Sequence, residues 1–155
     1  LSINYKNITI FTDGASKGNP GDSAIGYVII AEDDLLIGED GFYIGKTTNN
    51  HAEILAILIS VLNVVKLNPS YINLFSDSLL LVRQINKEYK IKNAILLNCH
   101  LELDKILKLN NIKIFAKHIN RENNKRADFL ANRGVNEKKL LPKEMFNYLV
   151  SNKCI

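Results

Sequence analysis

Short runs of β-branched and aromatic residues alternate along the chain with longer apolar-periodic stretches, which predicts strands interleaved with helices. Residues 7 to 12 (Asn-Ile-Thr-Ile-Phe-Thr) predict a first strand, and Gly14 to Gly21, with three glycines and Pro20, a turn or loop. Gly26 to Ile30 predicts a second strand, Asp33-Asp34 a turn, and Leu35 to Tyr43 a third strand returning from it, so these three form an antiparallel meander. A helix capped by Thr48 or Asn49 is expected to run to about Val65. Its stretch Ile54 to Ile59 is apolar nearly all round, so most of its surface should be buried. Pro69-Ser70 ends the connection, and Tyr71 to Ser76 predicts a fourth strand, parallel to the first because a helix separates them.

Helical patterning resumes over Ser78 to about Asn86 and over Asn93 to Leu109, followed by a fifth strand at Ile112 to His118. Asn124 to Arg133 predicts a helix with Ala127, Leu130 and Ala131 on one side and Gly134 as its stop. The tail beyond contains Pro142 and a further helical turn or two. The order β-β-β-α-β-α-α-β-α is α/β: a five-stranded mixed sheet, part antiparallel meander and part parallel, flanked by helices. The 155 residues suit a single domain over 1–155, with a core at about 7–134 and a C-terminal tail at 135–155.

Composition adds limits. With 46% hydrophobic and 23% charged residues, the chain falls in the soluble globular class. Its apolar runs look short against the ~20 residues of a membrane span, and no signal-peptide pattern opens it, so no membrane and a cytoplasmic or virion-internal location are expected. Cys99 and Cys154 match no metal-ligand spacing and read as free thiols, with a disulfide as the alternative. The net charge of +4 agrees with a polyanionic partner without requiring one.

Four acids change the picture. Asp13 follows the first strand and Asp77 the fourth, so parallel neighbours would bring both to the carboxyl-end edge where open α/β sheets place ligands. Glu53 lies in the first turn of the most apolar helix, where a bare carboxylate needs a partner or a metal. Asp128 sits in the last helix between Ala127 and Ala131, small neighbours that allow close approach to the sheet. Taken singly, each has a plain explanation: a turn dipeptide, a dipole-favoured acid, a helix cap, a solvated surface acid. Their joint placement is what points to a site.

Four blocks in order carry a resemblance: Thr12 to Gly21, Thr47 to Glu53, Ser76-Asp77-Ser78, and His118, Arg121 to Asn124 with Ala127-Asp128. Together they resemble the ribonuclease H type 1 family, over roughly residues 7 to 134. The resemblance implies a ribonuclease H-like fold and an endoribonuclease that hydrolyses the RNA strand of RNA–DNA hybrids, leaving 5′-phosphate and 3′-hydroxyl ends. It implies that Asp13, Glu53, Asp77 and Asp128 bind two Mg²⁺ ions, with Mn²⁺ able to substitute; hard oxygen ligands suit both. It gives an auxiliary role in proton transfer or product release to His118 or to Arg121, with the choice open. Gly14, Ser16, Asn19, Thr48, Asn49, Asn50, Ser78 and Asn124 are implied substrate contacts. Discriminating RNA from DNA requires sensing the 2′-hydroxyl in the minor groove, and Thr48 is placed at a DNA-strand phosphate. A monomer is expected.

The sequence departs from some members in lacking a basic, aromatic-rich protrusion. It has no tryptophan, and Lys87, Lys90 and Lys92 with Tyr89 make only a small basic patch. Leu79 replaces a polar residue frequent after the third block. A proofreading exonuclease on the same fold is disfavoured by Ala15, where a second acid would stand. A domain of a reverse transcriptase or other larger protein, or a binding module with little activity, are the remaining alternatives.

Overall fold

Residues 4–155 are described by a computed structural model. The strands are β1 (Asn7–Gly18), β2 (Gly21–Ala31), β3 (Leu36–Thr47), β4 (Tyr71–Ser76) and β5 (Lys113–His118). The helices are α1 (Asn49–Val64), α2 (Leu79–Ile85), α3 (Ala94–Leu109), α4 (Lys125–Glu137) and α5 (Lys143–Ser151). The five strands form one sheet in the order β3-β2-β1-β4-β5. β1, β2 and β3 pair antiparallel, whereas β4 pairs parallel with β1 and with β5. This is the mixed α/β sheet expected, and it puts the ends of β1 and β4 side by side.

β1 is longer than its hydrophobic run. Pairing with β4 ends at Phe11↔Phe75, but pairing with β2 continues to Gly18↔Gly21. The Gly14 to Gly18 segment, expected as loop, is therefore strand, because β2 supplies its backbone hydrogen bonds. Asp13 consequently lies inside β1, two residues past the last β4 pair, instead of after the strand.

α1 lies on one face of the sheet against β1 and β2, with α3 packed behind it. Ile54 to Ile59 are all buried, as the all-round apolar pattern requires. With the 3₁₀ turn that follows, Asn49–Leu67 is long and apolar enough to cross a bilayer. The sequence reading placed every apolar run short of that length. Here the segment is the core helix of the domain, and its apolar surface is covered by the sheet and α3.

The opposite face carries α4, over β1, β2 and β3. Glycines let it come close. A Cβ on Gly41 would overlap the Leu130 carbonyl, and one on Gly134 would sit 2.9 Å from the Phe42 nitrogen. Gly134 was expected to stop this helix. It lies inside α4, which ends at Lys138 in the left-handed region (φ 47°), so the glycine serves packing and not termination. The C-terminal segment adds α5, and Leu149 and Cys154 are fully buried.

Gly41→Ala should destabilise the protein by about 1–3 kcal/mol, because backbone must move to admit the methyl group. Gly38→Ala on the same strand, with nothing within 4 Å of its Cβ position, should change stability by less than ~0.5 kcal/mol. Urea midpoints at constant m-value test the pair; equal midpoints would show that α4 does not rest on the sheet as described.

Candidate active site

Three elements deliver one acid each to the edge where β1 and β4 part. Asp13 comes from β1, Asp77 directly follows β4, and Glu53 is the fifth residue of α1, just past the first turn where it was expected. A carboxylate oxygen from each lies within 4.8 Å of the other two. Glu53 is fixed by Gly14, whose N–H donates to Oε1 at 3.1 Å. That contact exists because Gly14 has no side chain: a Cβ there would stand 2.9 Å from the Glu53 nitrogen and from the Ala52 Cβ. Asp128, from the first turn of α4, lines the same cleft of about 430 Å³ together with Arg121, Asn49 and Asn50.

The electrostatics are unfavourable without a cation. Asp13 is 5% exposed. Burial, then the charges of Glu53, Asp77 and Asp128, push its pKa from the ordinary 3.8 up to about 10. Glu53 is pushed up to about 7 by burial and by Asp77, against the Gly14 N–H, Asp13 and Arg121, which lower it. Its second oxygen, Oε2, is buried with no hydrogen-bond partner. Among the described residues only Arg121 forms an ion pair with the cluster, Nε to Asp77 Oδ2 at 3.9 Å, and that side chain is 87% exposed. A donorless buried carboxylate oxygen in a set of hard oxygen ligands is what a divalent cation would satisfy.

The two auxiliary candidates differ in placement. Arg121 lines the cleft. His118, exposed at the end of β5, places Nε2 3.2 Å from the Asp77 carbonyl oxygen and faces the strand end instead.

Of the expected substrate contacts, Gly14, Ser16, Asn49, Asn50 and Ser78 line the cleft. Ser78 also caps α2 by accepting from the Leu81 N–H. Asn19 stands beside it, accepting from the Asn49 N–H at 2.9 Å and so tying the β1–β2 turn to the start of α1. Thr48 caps α1 through the His51 N–H and borders a neighbouring cavity. Asn124 is not available to a ligand: it is 2% exposed, and its side-chain amide donates to the Thr12 carbonyl at 2.8 Å. It holds the start of α4 to β1, one residue before Asp13.

Two contributors escaped the sequence reading. Asn132, one helical turn after Asp128, donates to its Oδ1 at 3.1 Å and lines the cleft; the i,i+4 spacing was the available signal. His51, two residues before Glu53, bridges the Thr47 hydroxyl (2.7 Å) and the Cys154 carbonyl (2.6 Å), so the C-terminus anchors the start of α1. No local pattern announces that long-range contact. Cys99 and Cys154 are both buried free thiols.

Comparison with known proteins agrees with this geometry. The family described as reverse transcriptase-like matches residues 11–134. The chain is 31% identical over 128 residues to the ribonuclease HI of Halobacterium salinarum, covering 82% of this chain and 63% of that protein. It is 34% identical over 149 residues to the ribonuclease H of Cupriavidus metallidurans, covering 84% and 96%. The crystal structure of LC11 ribonuclease H1 in complex with an RNA/DNA hybrid superposes with a TM-score of 0.79 at 35% identity, covering 84% of this chain and 97% of that one. The chain thus spans less than two thirds of the haloarchaeal protein, and 34% of longer mycobacterial proteins that it also matches.

The crowded carboxylates set a stability dependence. Asp13 has a folded pKa above its unfolded one, so the metal-free fold keeps a proton that the unfolded chain loses. The stability this group contributes is full below about 3.8 and declines as pH rises toward 10. In EDTA at neutral pH, Asp13→Asn should therefore melt above the parent protein, by ~2–4 °C per kcal/mol gained. The gap should widen with pH and narrow when Mg²⁺ is added. A variant melting at or below the parent throughout would show that neither burial nor the neighbouring charges burden the Asp13 carboxylate.

Proposed function

The chain belongs to the ribonuclease H type 1 family, and from that membership we propose that it is a divalent-metal-dependent endoribonuclease acting on the RNA strand of RNA–DNA hybrids. The observation that carries this reading is the convergence of Asp13, Glu53 and Asp77 around a buried carboxylate oxygen without a donor, in a cleft open at the sheet edge. The hybrid bound to the similar LC11 enzyme supplies the substrate class.

Asp13, Glu53, Asp77 and Asp128 would hold two Mg²⁺ ions, or Mn²⁺ in their place. Such ions, when bound, ease deprotonation of the attacking water and stabilise charge on the leaving oxygen, giving 5′-phosphate and 3′-hydroxyl ends. The chain's own groups do the rest. The acids repel a polyanion until they are neutralised, which couples substrate binding to metal binding. Arg121, exposed at the lip beside Asp77, offers positive charge to a phosphate and takes the auxiliary role in preference to His118. Asn49, Asn50, Ser16 and the Gly14 backbone line the cleft where a 2′-hydroxyl would be sensed. One copy suffices, since all four acids come from a single chain.

A second reading houses the same activity in a longer protein. It is favoured by the match that spans only 34% of a Mycobacterium tuberculosis bifunctional protein.

Labelled RNA annealed to DNA should be cut internally with Mg²⁺ and left intact in EDTA, while single-stranded RNA and duplex DNA survive. Asp77→Asn should reduce the rate at least ~10³-fold, about 4 kcal/mol of barrier, with an unchanged circular dichroism spectrum. Binding of the hybrid without cutting, in both Mg²⁺ and Mn²⁺, would overturn the enzymatic reading. Arg121→Ala should slow turnover more than His118→Ala; the opposite order would move the auxiliary role to the histidine.

A further inference from the structure

One face of the sheet beyond α4 carries a pattern that the cleavage site does not use. On β4, Tyr71, Asn73 and Phe75 alternate with the buried Ile72, Leu74 and Ser76. On β5, Lys113, Phe115 and Lys117 alternate with Ile114 and the buried Ala116. Register places Tyr71 beside Lys113, Phe75 beside Lys117, and Phe11 of β1 on the other side of Phe75. The rings are ordered in pairs: Phe11 stacks with Phe75 at 5.1 Å between centroids, and Tyr71 with Phe115 at 5.9 Å. α4 packs over β1, β2 and β3, while α2 packs against β4 and β5, where its Asn86 bonds the Ala116 carbonyl. The aromatic side of β4 and β5 stays partly open: Phe115 is 53% exposed, and Tyr71, Asn73 and Phe75 are half-buried.

An exposed aromatic sheet face is not by itself a binding site. Its charge and its position select an occupant. Lys113 and Lys117 are exposed and form no ion pair among the described residues, and neither β4 nor β5 contains an acid. The carboxylate at the far end, Glu32, already accepts from the Lys6 N–H and the Asn7 side chain. Rings interleaved with unpaired lysines match bases that stack and phosphates that need counter-charge. Position then chooses the strand. Phe11 and Phe75 each precede an acid of the cleavage site by two residues, Asp13 and Asp77, so the platform starts where the scissile RNA strand would sit.

We propose that the aromatic and basic face of β4 and β5 binds an unpaired single-stranded extension of the RNA strand whose hybrid portion lies in the cleft. This rests on the reading of the cleft as the site that cuts the RNA strand. The face gives the chain a grip on junctions between hybrid and single-stranded RNA, in a protein whose basic patch at Lys87 to Lys92 is small.

The test uses four hybrids at low salt: blunt, with a ten-uridine tail on the 5′ end of the RNA strand, with that tail on its 3′ end, and with the same tail on the DNA strand. An RNA-strand tail at one of the two ends should lower KM about tenfold against the blunt hybrid at unchanged kcat. Phe115→Ala with Lys113→Ala and Lys117→Ala should abolish that gain while blunt-hybrid KM and kcat stay as in the parent. Lys113→Glu with Lys117→Glu, two exposed positions, repeats the test without touching a ring. No gain from either RNA-strand tail, an equal gain from the DNA-strand tail, or a gain that survives both variants would overturn the proposal. Fluorescence anisotropy of labelled ten-uridine RNA in EDTA reads the platform apart from activity. Tight binding by the parent and at least tenfold weaker binding by the variants supports it even if blunt hybrid is never cut, an outcome that would fail the cleavage reading alone. Equal anisotropy in parent and variants would overturn it.

Discussion

Three carboxylates held within 4.8 Å of one another, one of them with a buried oxygen that no donor reaches, are the constraint around which this fold is arranged. Left alone they repel, and burial of Asp13 and Glu53 worsens the repulsion by removing water. The protein keeps them together by placing each on a different rigid element. Asp13 rides on a strand paired beyond it, Glu53 on the most buried helix, and Asp77 on the end of a parallel neighbour. The same placement that costs stability in the metal-free chain makes a ready ligand set for hard cations.

The supports around the cluster are steric as much as polar. Gly14 admits the backbone of α1 and gives its N–H to Glu53; Gly41 and Gly134 let α4 settle on the sheet and carry Asp128 to the cleft. Asn124 and His51 act at longer range. The first ties the start of α4 to β1 beside Asp13, and the second ties the start of α1 to the C-terminus. The elements that carry Asp13, Glu53 and Asp128 are therefore each held by a contact to another part of the chain.

Much of this was legible in the sequence because it is local or ordered. Strand and helix order, the parallel relation of β1 and β4, and the burial of α1 follow from hydrophobic periodicity. The four acids stand out through their order and neighbours. What escaped depends on partners distant in sequence. The strand character of Gly14 to Gly18 comes from β2, not from its own composition, so a glycine-rich segment looked like a loop. Gly134 has the same identity whether it ends a helix or lets one pack closely, and only the sheet beneath it decides. Asn124 stands in a block whose resemblance implied a ligand contact; burial turns its amide inward to a strand carbonyl. Arg121 and His118 could not be separated by spacing, since the direction each side chain takes at the strand end is a tertiary property.

The most direct test of the carboxylate cluster as a metal centre is calorimetric titration of the protein with Mg²⁺ near neutral pH, in two buffers of different ionisation enthalpy. Cations entering a site whose acids still hold protons must release them, so the observed heat should differ between the buffers in proportion to their ionisation enthalpies. Saturable binding with heats independent of buffer, or no binding at millimolar Mg²⁺, would contradict a centre built on mutual carboxylate repulsion.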